Sequence, residues 1–306
     1  MDYSVIITAK DEPKTVGRLI AQIEDQMPKI SQNFEILVVC PDEKTKQSAI
    51  SRDRLQLVTW IRDKGKGKPA ALSLAFDRAK GDILILTDGD VSLGEDSLDK
   101  LVQGFDCNGN PRIATTDNDV GLVTGRPVPI NERDNLFGYW AHFLTHAAHQ
   151  QRKSRADCGQ YLDASGYLLA IKKELVPLMP ENILVDDAYI SHQVWNQGKK
   201  IGYASKAEVR VKFPTNLADW FTQKKRTTSG FIQLKGTDTA GEPMRGFFQE
   251  AKGLKLAATY PQNVKECFWT LLLFIARLYV WLVVIWTRKI MKTRYSGNWK
   301  RIESTK

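Results

Sequence analysis

The stretch Gly81 to Asp90, GDILILTDGD, constrains the fold of this 306-residue chain more than any other. Ile83, Leu84, Ile85 and Leu86 form a continuous apolar run with no polar alternation. A strand with one face in water alternates, whereas an unbroken run needs cover on both faces, as in a parallel sheet flanked by helices. The run ends on Asp88-Gly89-Asp90. Two carboxylates one residue apart, with glycine giving the backbone freedom to turn, make a hard oxygen pair for a divalent cation that can also hold a phosphate. An acidic turn after any core strand looks the same in isolation, so the neighbouring sequence has to separate the two readings.

Before this strand the chain alternates. Tyr3 to Thr8 reads as a strand followed by the loop Ala9-Lys10-Asp11-Glu12-Pro13, then a helix with Val16, Leu19, Ile20 and Ile23 at helical spacing. Phe34 to Val39 is a second strand ending near Asp42, and Leu55 to Ile61 a third running into Arg62-Asp63-Lys64-Gly65-Lys66-Gly67-Lys68. Pro69 opens a helix through Lys80. Strand-helix alternation predicts a doubly wound α/β sheet, mostly parallel, with helices on both faces and ligands at the carboxyl ends of the strands. Asp11, Glu12, Asp42, Asp63, Asp88 and Asp90 all fall at such ends. The lysine-glycine loop lacks the spacing of a phosphate-binding P-loop, and Lys64, Lys66 and Lys68 read as a flexible basic rim able to approach a diphosphate.

Together these segments resemble the GT-A fold glycosyltransferases of family 2, over Tyr3 to about Leu234. SVIITAKDE resembles the family's opening strand and acidic loop, GKGKPAALSLAFDRAKGDILILTDGDV its strand leading to Asp-x-Asp, and GLVTGRPVP the sheet segment after it. The resemblance implies a Rossmann-like domain over 1–235 that transfers a sugar from a nucleotide-diphosphate donor with inversion, using Mg²⁺ or Mn²⁺. It implies Asp90 as the metal ligand, with Asp88 contacting the donor and sharing the metal. Ala9, Asp11, Glu12, Asp63 and Lys68 then fall to donor binding. The family's second strand usually ends in a nucleotide-binding Asp; here Val39 is followed by Cys40-Pro41-Asp42, which moves that contact to Asp42 or removes it.

Asp186-Asp187 begins a second acidic centre, before a predicted helix over Ala188 to Gln197 that Gly198 closes. An acidic helix N-terminus is electrostatically favourable on its own. The resemblance matches the pair to the family's acidic pair ahead of its LSxRL-like helix and assigns Asp187 as the general base toward the acceptor hydroxyl. Gln223-Lys224-Lys225-Arg226-Thr227 resembles the Gln-x-x-Arg-Trp motif of membrane-associated members, with Thr227 in place of Trp. It assigns Arg226 to the diphosphate; a planar, always-charged guanidinium binds oxyanions in a fork. Asp186, Gln223, Ser165 and Gly166 are the remaining acceptor or diphosphate candidates, the last two within a predicted strand over Asp157 to Ala170. His142, His146 and His149 share one face of a helix over Asn135 to Gln151 at spacings that fit a metal site. No acid joins them, and Phe137, Tyr139, Trp140 and Phe143 suit an acceptor groove or membrane-facing surface better.

Phe268 to Thr287, FWTLLLFIARLYVWLVVIWT, is as long as a bilayer-spanning helix and has aromatic residues near both ends. It reads as a single span or a helix lying in the interface, with a buried soluble helix as the third reading. Its one charge, Arg277, costs about 3 kcal/mol at a bilayer centre unless it snorkels or pairs. Basic residues flank both sides, so charge sets no orientation. A linker over 236–267, with a polar loop 236–243 and an amphipathic stretch 246–260, precedes the segment, and a basic tail over 288–306 follows it. The net charge of +9 suits a polyanion, whether nucleic acid, an anionic membrane or a phosphorylated substrate, and charge alone does not choose among them. With the resemblance, no nucleic acid partner is expected. Widely separated cysteines and an N-terminus without a signal pattern give a reducing cytosol as the default. The expectation is a membrane enzyme with its catalytic domain on the cytoplasmic side, acting on a lipid-linked or polysaccharide acceptor. Two rival readings are a sugar nucleotidyltransferase, whose Gly-rich basic loop Thr8-Ala9-Lys10-Asp11 does not supply, and a non-catalytic basic module binding membrane surfaces or polyanions.

Overall fold

The computed structural model describes residues 2–106, 119–234, 244, 254–289 and 303–305. The predicted polar loop 236–243, residues 246–253 of the amphipathic stretch and residues 290–302 of the basic tail lie outside them. Strands β1 (Tyr3–Thr8), β2 (Phe34–Cys40), β3 (Val58–Arg62) and β4 (Ile83–Asp88) pair in parallel in the order β3-β2-β1-β4. Helices α1 (Val16–Gln26), α2 (Glu43–Ser51) and α3 (Lys68–Phe76) connect them. The unbroken apolar runs serve two cores at once. Val5, Ile7, Ile36, Val38, Ile83 and Ile85 point into one. Ile6, Leu37, Val39, Leu84 and Leu86 point into the other, as period-two side chains require. The third strand starts at Val58, three residues later than its apolar pattern suggests. The Asp53 carboxylate accepts from the amides of Leu57 and Val58, at 2.9 and 3.1 Å, and holds this stretch as a turn.

Beyond β4 come β5 (Ser92–Leu93), α4 (Ser97–Val102), β6 (Val120–Pro129), α5 (Leu136–Asp157), β7 (Leu168–Lys172), α6 (Asp186–Asn196) and β8 (Lys200–Val211). The described residues form an eight-stranded mixed sheet in the order β3-β2-β1-β4-β7-β6-β8-β5. Strand β7 runs antiparallel to both β4 and β6, and β6 pairs in parallel with β8. The strand expected over Asp157 to Ala170 is confined to its end. Ahead of Leu168 the backbone bonds to side chains instead of a ladder: Ala164 donates to Ser191 Oγ (2.9 Å), Ser165 to Thr124 Oγ1 (2.9 Å) and Gly166 to Asp187 Oδ2 (3.0 Å).

Helices α7 (Leu217–Leu234), α8 (Leu254–Thr259) and α9 (Val264–Lys289) complete the described chain. The predicted apolar segment lies inside α9, which starts four residues before Phe268. Val264–Thr287 is long and apolar enough to cross a membrane. One face of α9, with Leu273, Ala276, Val280 and Val284, packs with Tyr139, Trp140, Phe143 and Trp220 into a third apolar cluster. Leu271, Ile275, Leu278, Leu282 and Trp286 stay exposed on the other. Polar contacts fix the packed face: Trp140 Nε1 donates to the Trp269 carbonyl at 2.8 Å, and the Tyr139 hydroxyl lies 2.6 Å from Thr270 Oγ1. Arg133 clasps Glu266 through Nε (2.9 Å) and a terminal nitrogen (2.8 Å).

Candidate active site

Because β1 to β4 run in parallel, their carboxyl ends lie along one edge of the sheet, with Thr8 opposite Asp88 in the register. A cavity of about 1350 Å³ opens at this edge. Asp11, Glu12, Lys68, Asp88, Asp90, Ser165, Gly166, Asp186, Asp187, Gln223 and Arg226 all line it. The Asp-Gly-Asp turn is fixed by its glycine. Gly89 N donates to the Thr8 carbonyl at 2.9 Å, and a Cβ at position 89 would lie 2.5 Å from Glu12 Oε2 and 2.6 Å from Ala9 Cβ.

Three predicted donor residues lie at the same edge without lining the cavity. Ala9 packs beneath Gly89. The Asp42 carboxylate caps α2 by accepting from Thr45 N at 2.8 Å and braces the acidic loop by accepting from Asp11 N at 2.8 Å. Although partial burial works against its charge, these hydrogen bonds hold the Asp42 carboxyl below its ordinary range. Asp63 accepts from Gly65 N and turns the lysine-glycine loop back on itself.

Lys68 is not part of a flexible rim. Its side chain is only 12% exposed, with Nζ 2.6 Å from Asp88 Oδ1 and 3.3 Å from Asp186 Oδ2. Burial works against its charge, but Asp186 and Asp88 outweigh burial and hold Lys68 above its ordinary range. One cation therefore ties the two acidic centres together. The Asp88 oxygen that meets Lys68 also accepts from Thr8 Oγ1, at 3.2 Å. Asp186 and Asp187 form the first turn of α6 instead of preceding it. Asp186 is buried against Lys68, while Asp187 is half-buried, its Oδ2 accepting from Gly166 N and its Oδ1 from Ala188 N at 2.8 Å. Gly166 is held close here: a Cβ would stand 3.2 Å from Lys68 Nζ and 3.5 Å from Asp187 Cβ.

Tyr167, between Gly166 and β7, also lines the cavity. Burial, followed by the charges of Asp90 and Asp88, pushes its hydroxyl pKa up, which leaves it a neutral donor at physiological pH. The sequence offered no signal for this residue beyond its place next to Gly166.

Asp88 and Asp90 fit a hard cation in kind. Among the described residues no group of three or more His, Cys, Asp or Glu side chains forms a preassembled cage. A carboxylate pair opening into a roomy cavity suits Mg²⁺ or Mn²⁺ held by one or two carboxylates, with substrate phosphate oxygens and water as the other ligands. The helical histidines do not assemble into a metal site. His142 Nε2 lies 2.8 Å from the Asn131 carbonyl, and His149 Nδ1 lies 2.7 Å from the Tyr203 hydroxyl. His149 and Tyr203 instead form part of the cavity wall.

The family model described as glycosyltransferase-like family 2 matches residues 2–230. The chain belongs to this glycosyltransferase family. Among curated relatives, an undecaprenyl-phosphate 4-deoxy-4-formamido-L-arabinose transferase of Aeromonas hydrophila is 26% identical over 118 residues, 36% of each chain. Its counterpart in Pseudomonas fluorescens is 26% identical over 157 residues, 48% of this chain and 41% of the relative. The chain thus aligns with well under half the length of these relatives. The fold is that of GT-A glycosyltransferases. A mannosyltransferase of Pyrobaculum calidifontis, solved with GDP-Man and Mn²⁺, superposes with a TM-score of 0.61 at 17% identity, covering 94% of this chain and 87% of that one. Glucosyl-3-phosphoglycerate synthase of Mycobacterium tuberculosis superposes at 0.50 and 16% identity, covering 81% and 85%.

Proposed function

We propose that this glycosyltransferase transfers a sugar with inversion from a nucleotide-diphosphate donor to a hydroxyl of a lipid-linked or glycan acceptor, at the cytoplasmic face of a membrane. The observation that carries this reading is the shared cavity, which Asp88 and Asp90 enter from the end of β4 and Asp187 from the first turn of α6. The backbone amide of Gly166 fixes the Asp187 carboxylate, so its base oxygen does not have to be ordered as the acceptor arrives. Asp187 takes the proton of the acceptor hydroxyl as that oxygen bonds to the anomeric carbon. The bond from that carbon to the diphosphate breaks on the opposite face, and its electron pair leaves with the nucleoside diphosphate. Arg226 donates to the departing diphosphate, and Lys68 holds Asp88 and Asp186 in place. Asp90 and Asp88 would hold Mg²⁺ or Mn²⁺, which would supply charge neutralisation for the leaving diphosphate. The catalytic unit covers 1–235, and α9 keeps it at the bilayer.

The names of the relatives favour a second reading in which the lipid phosphate itself is the nucleophile. A doubly ionised phosphate has no proton to lose, so Asp187 would then orient the acceptor instead of acting as base. Purified protein given radiolabelled nucleotide sugars, Mn²⁺ and a polyprenyl-phosphate or glycan acceptor should release nucleoside diphosphate and a product of inverted anomeric configuration. Release of pyrophosphate would mark a nucleotidyltransferase, and no turnover with any donor would remove the enzymatic reading.

A further inference from the structure

Arg277 is the one charged residue between Phe268 and Thr287. It lies four residues after Leu273, three before Val280 and seven before Val284, all buried where α9 packs on the domain. Helical spacing therefore places it on the stripe facing the protein, away from exposed Leu271 and Leu282. It is half-buried and lines the same cavity as Asp187 and Arg226. Leu273, Leu278 and Trp281 of the same helix line that cavity beside it. The cavity thus passes from a carboxylate end at the sheet edge to an apolar wall on the membrane-candidate helix, with a guanidinium on that wall.

We infer that Arg277 holds the phosphate that joins the acceptor to its lipid. A planar guanidinium grips two phosphate oxygens at once, and in surroundings poor in water such a charge-assisted pair is strong. Leu278 and Trp281 take the first part of the hydrocarbon chain, which leaves along the exposed apolar face of α9 into the bilayer. The ligand class is a phosphate ester on a long unbranched or polyprenyl chain. The inference rests on the acceptor being lipid-linked, as proposed above, and it holds whether the hydroxyl or the phosphate oxygen attacks.

The test uses the full chain in detergent with farnesyl phosphate as probe, binding being followed by tryptophan fluorescence. Farnesol and inorganic phosphate serve as separate arms. Farnesyl phosphate should bind more tightly than either, and Arg277→Leu should weaken it by about 10-fold to 100-fold, the range for a lost charged hydrogen bond. Arg277→Lys should fall between, because it keeps the charge and loses the fork, and farnesol binding should not change in either variant. Circular dichroism establishes that each variant is folded; if Arg277→Leu is not, Arg277→Lys and Arg277→Gln carry the comparison. Equal farnesyl phosphate affinity in wild type and folded variants overturns the inference. Inorganic phosphate competing as well as farnesyl phosphate overturns the lipid assignment and leaves a site for free phosphate. Neither result bears on donor turnover, so a failure of the proposed reaction shows separately, as absent nucleoside diphosphate release.

Discussion

At position 89 a single methyl group would collide with both ends of the acidic loop, since its nearest neighbours are Glu12 Oε2 and Ala9 Cβ. Gly89→Ala should destabilise the fold by about 1–3 kcal/mol, the usual cost of overpacking, and reduce kcat/KM more than Tm suggests because Asp88 and Asp90 move with it. Thermal unfolding and initial-rate kinetics together check this. A pH effect follows from the histidines. Burial and then Arg126, with smaller contributions from His146, Lys153 and Arg152, hold His149 at about 4. Burial likewise lowers His146 and His192. The unfolded chain binds these protons near pH 6.5 and the folded chain only at lower pH, so stability present above about 6.5 is lost as pH falls toward 4. Chemical denaturation across that range should show a loss that His149→Gln reduces. At this scale the carboxylates of the site were legible because Asp88, Asp90 and Asp187 stand at element ends in a recognisable order. The pairing of Lys68 with Asp88 and Asp186 was not, because it joins positions 20 and 118 residues apart in the chain. Nor was the use of Asp42 as a cap, since capping and ligand binding draw on the same residue type.

Among the elements, α5 and α9 depend on each other. Trp140 is buried, bonds to the Trp269 carbonyl and packs on Trp220 with ring centroids 4.9 Å apart. Trp140→Ala should cost about 3–5 kcal/mol and loosen α9, while Trp140→Phe should lose little beyond the hydrogen bond, about 1 kcal/mol. Denaturation midpoints of the two variants measure the difference. The parallel strands were readable from their unbroken apolar runs, and α9 from its length. The span 160–167 was not, because its backbone bonds to Ser191, Thr124 and Asp187, and no local pattern reports a partner so distant. Those side-chain bonds nevertheless position Gly166 beside Asp187, so the element least visible in the sequence shapes the site most.

For the whole molecule, α9 is part of the architecture as well as a candidate membrane span. It covers Tyr139, Trp140, Phe143 and Trp220 and walls one side of the cavity. A chain cut before Phe268 should therefore leave the membrane fraction and, once released, aggregate through the uncovered aromatic cluster. Fractionation followed by size-exclusion chromatography tests both parts; a cut chain that stays with membranes would place the membrane contact elsewhere. In the proposed mechanism the site is divided, with donor and metal on Asp88 and Asp90 and the acceptor step on Asp187. Asp187→Asn tests it most directly, with donor binding and nucleoside diphosphate release measured on the same preparation. The variant should bind the nucleotide sugar as wild type does and lose release by about 100-fold or more, the range for removing a general base. Equal turnover by the two proteins would contradict it.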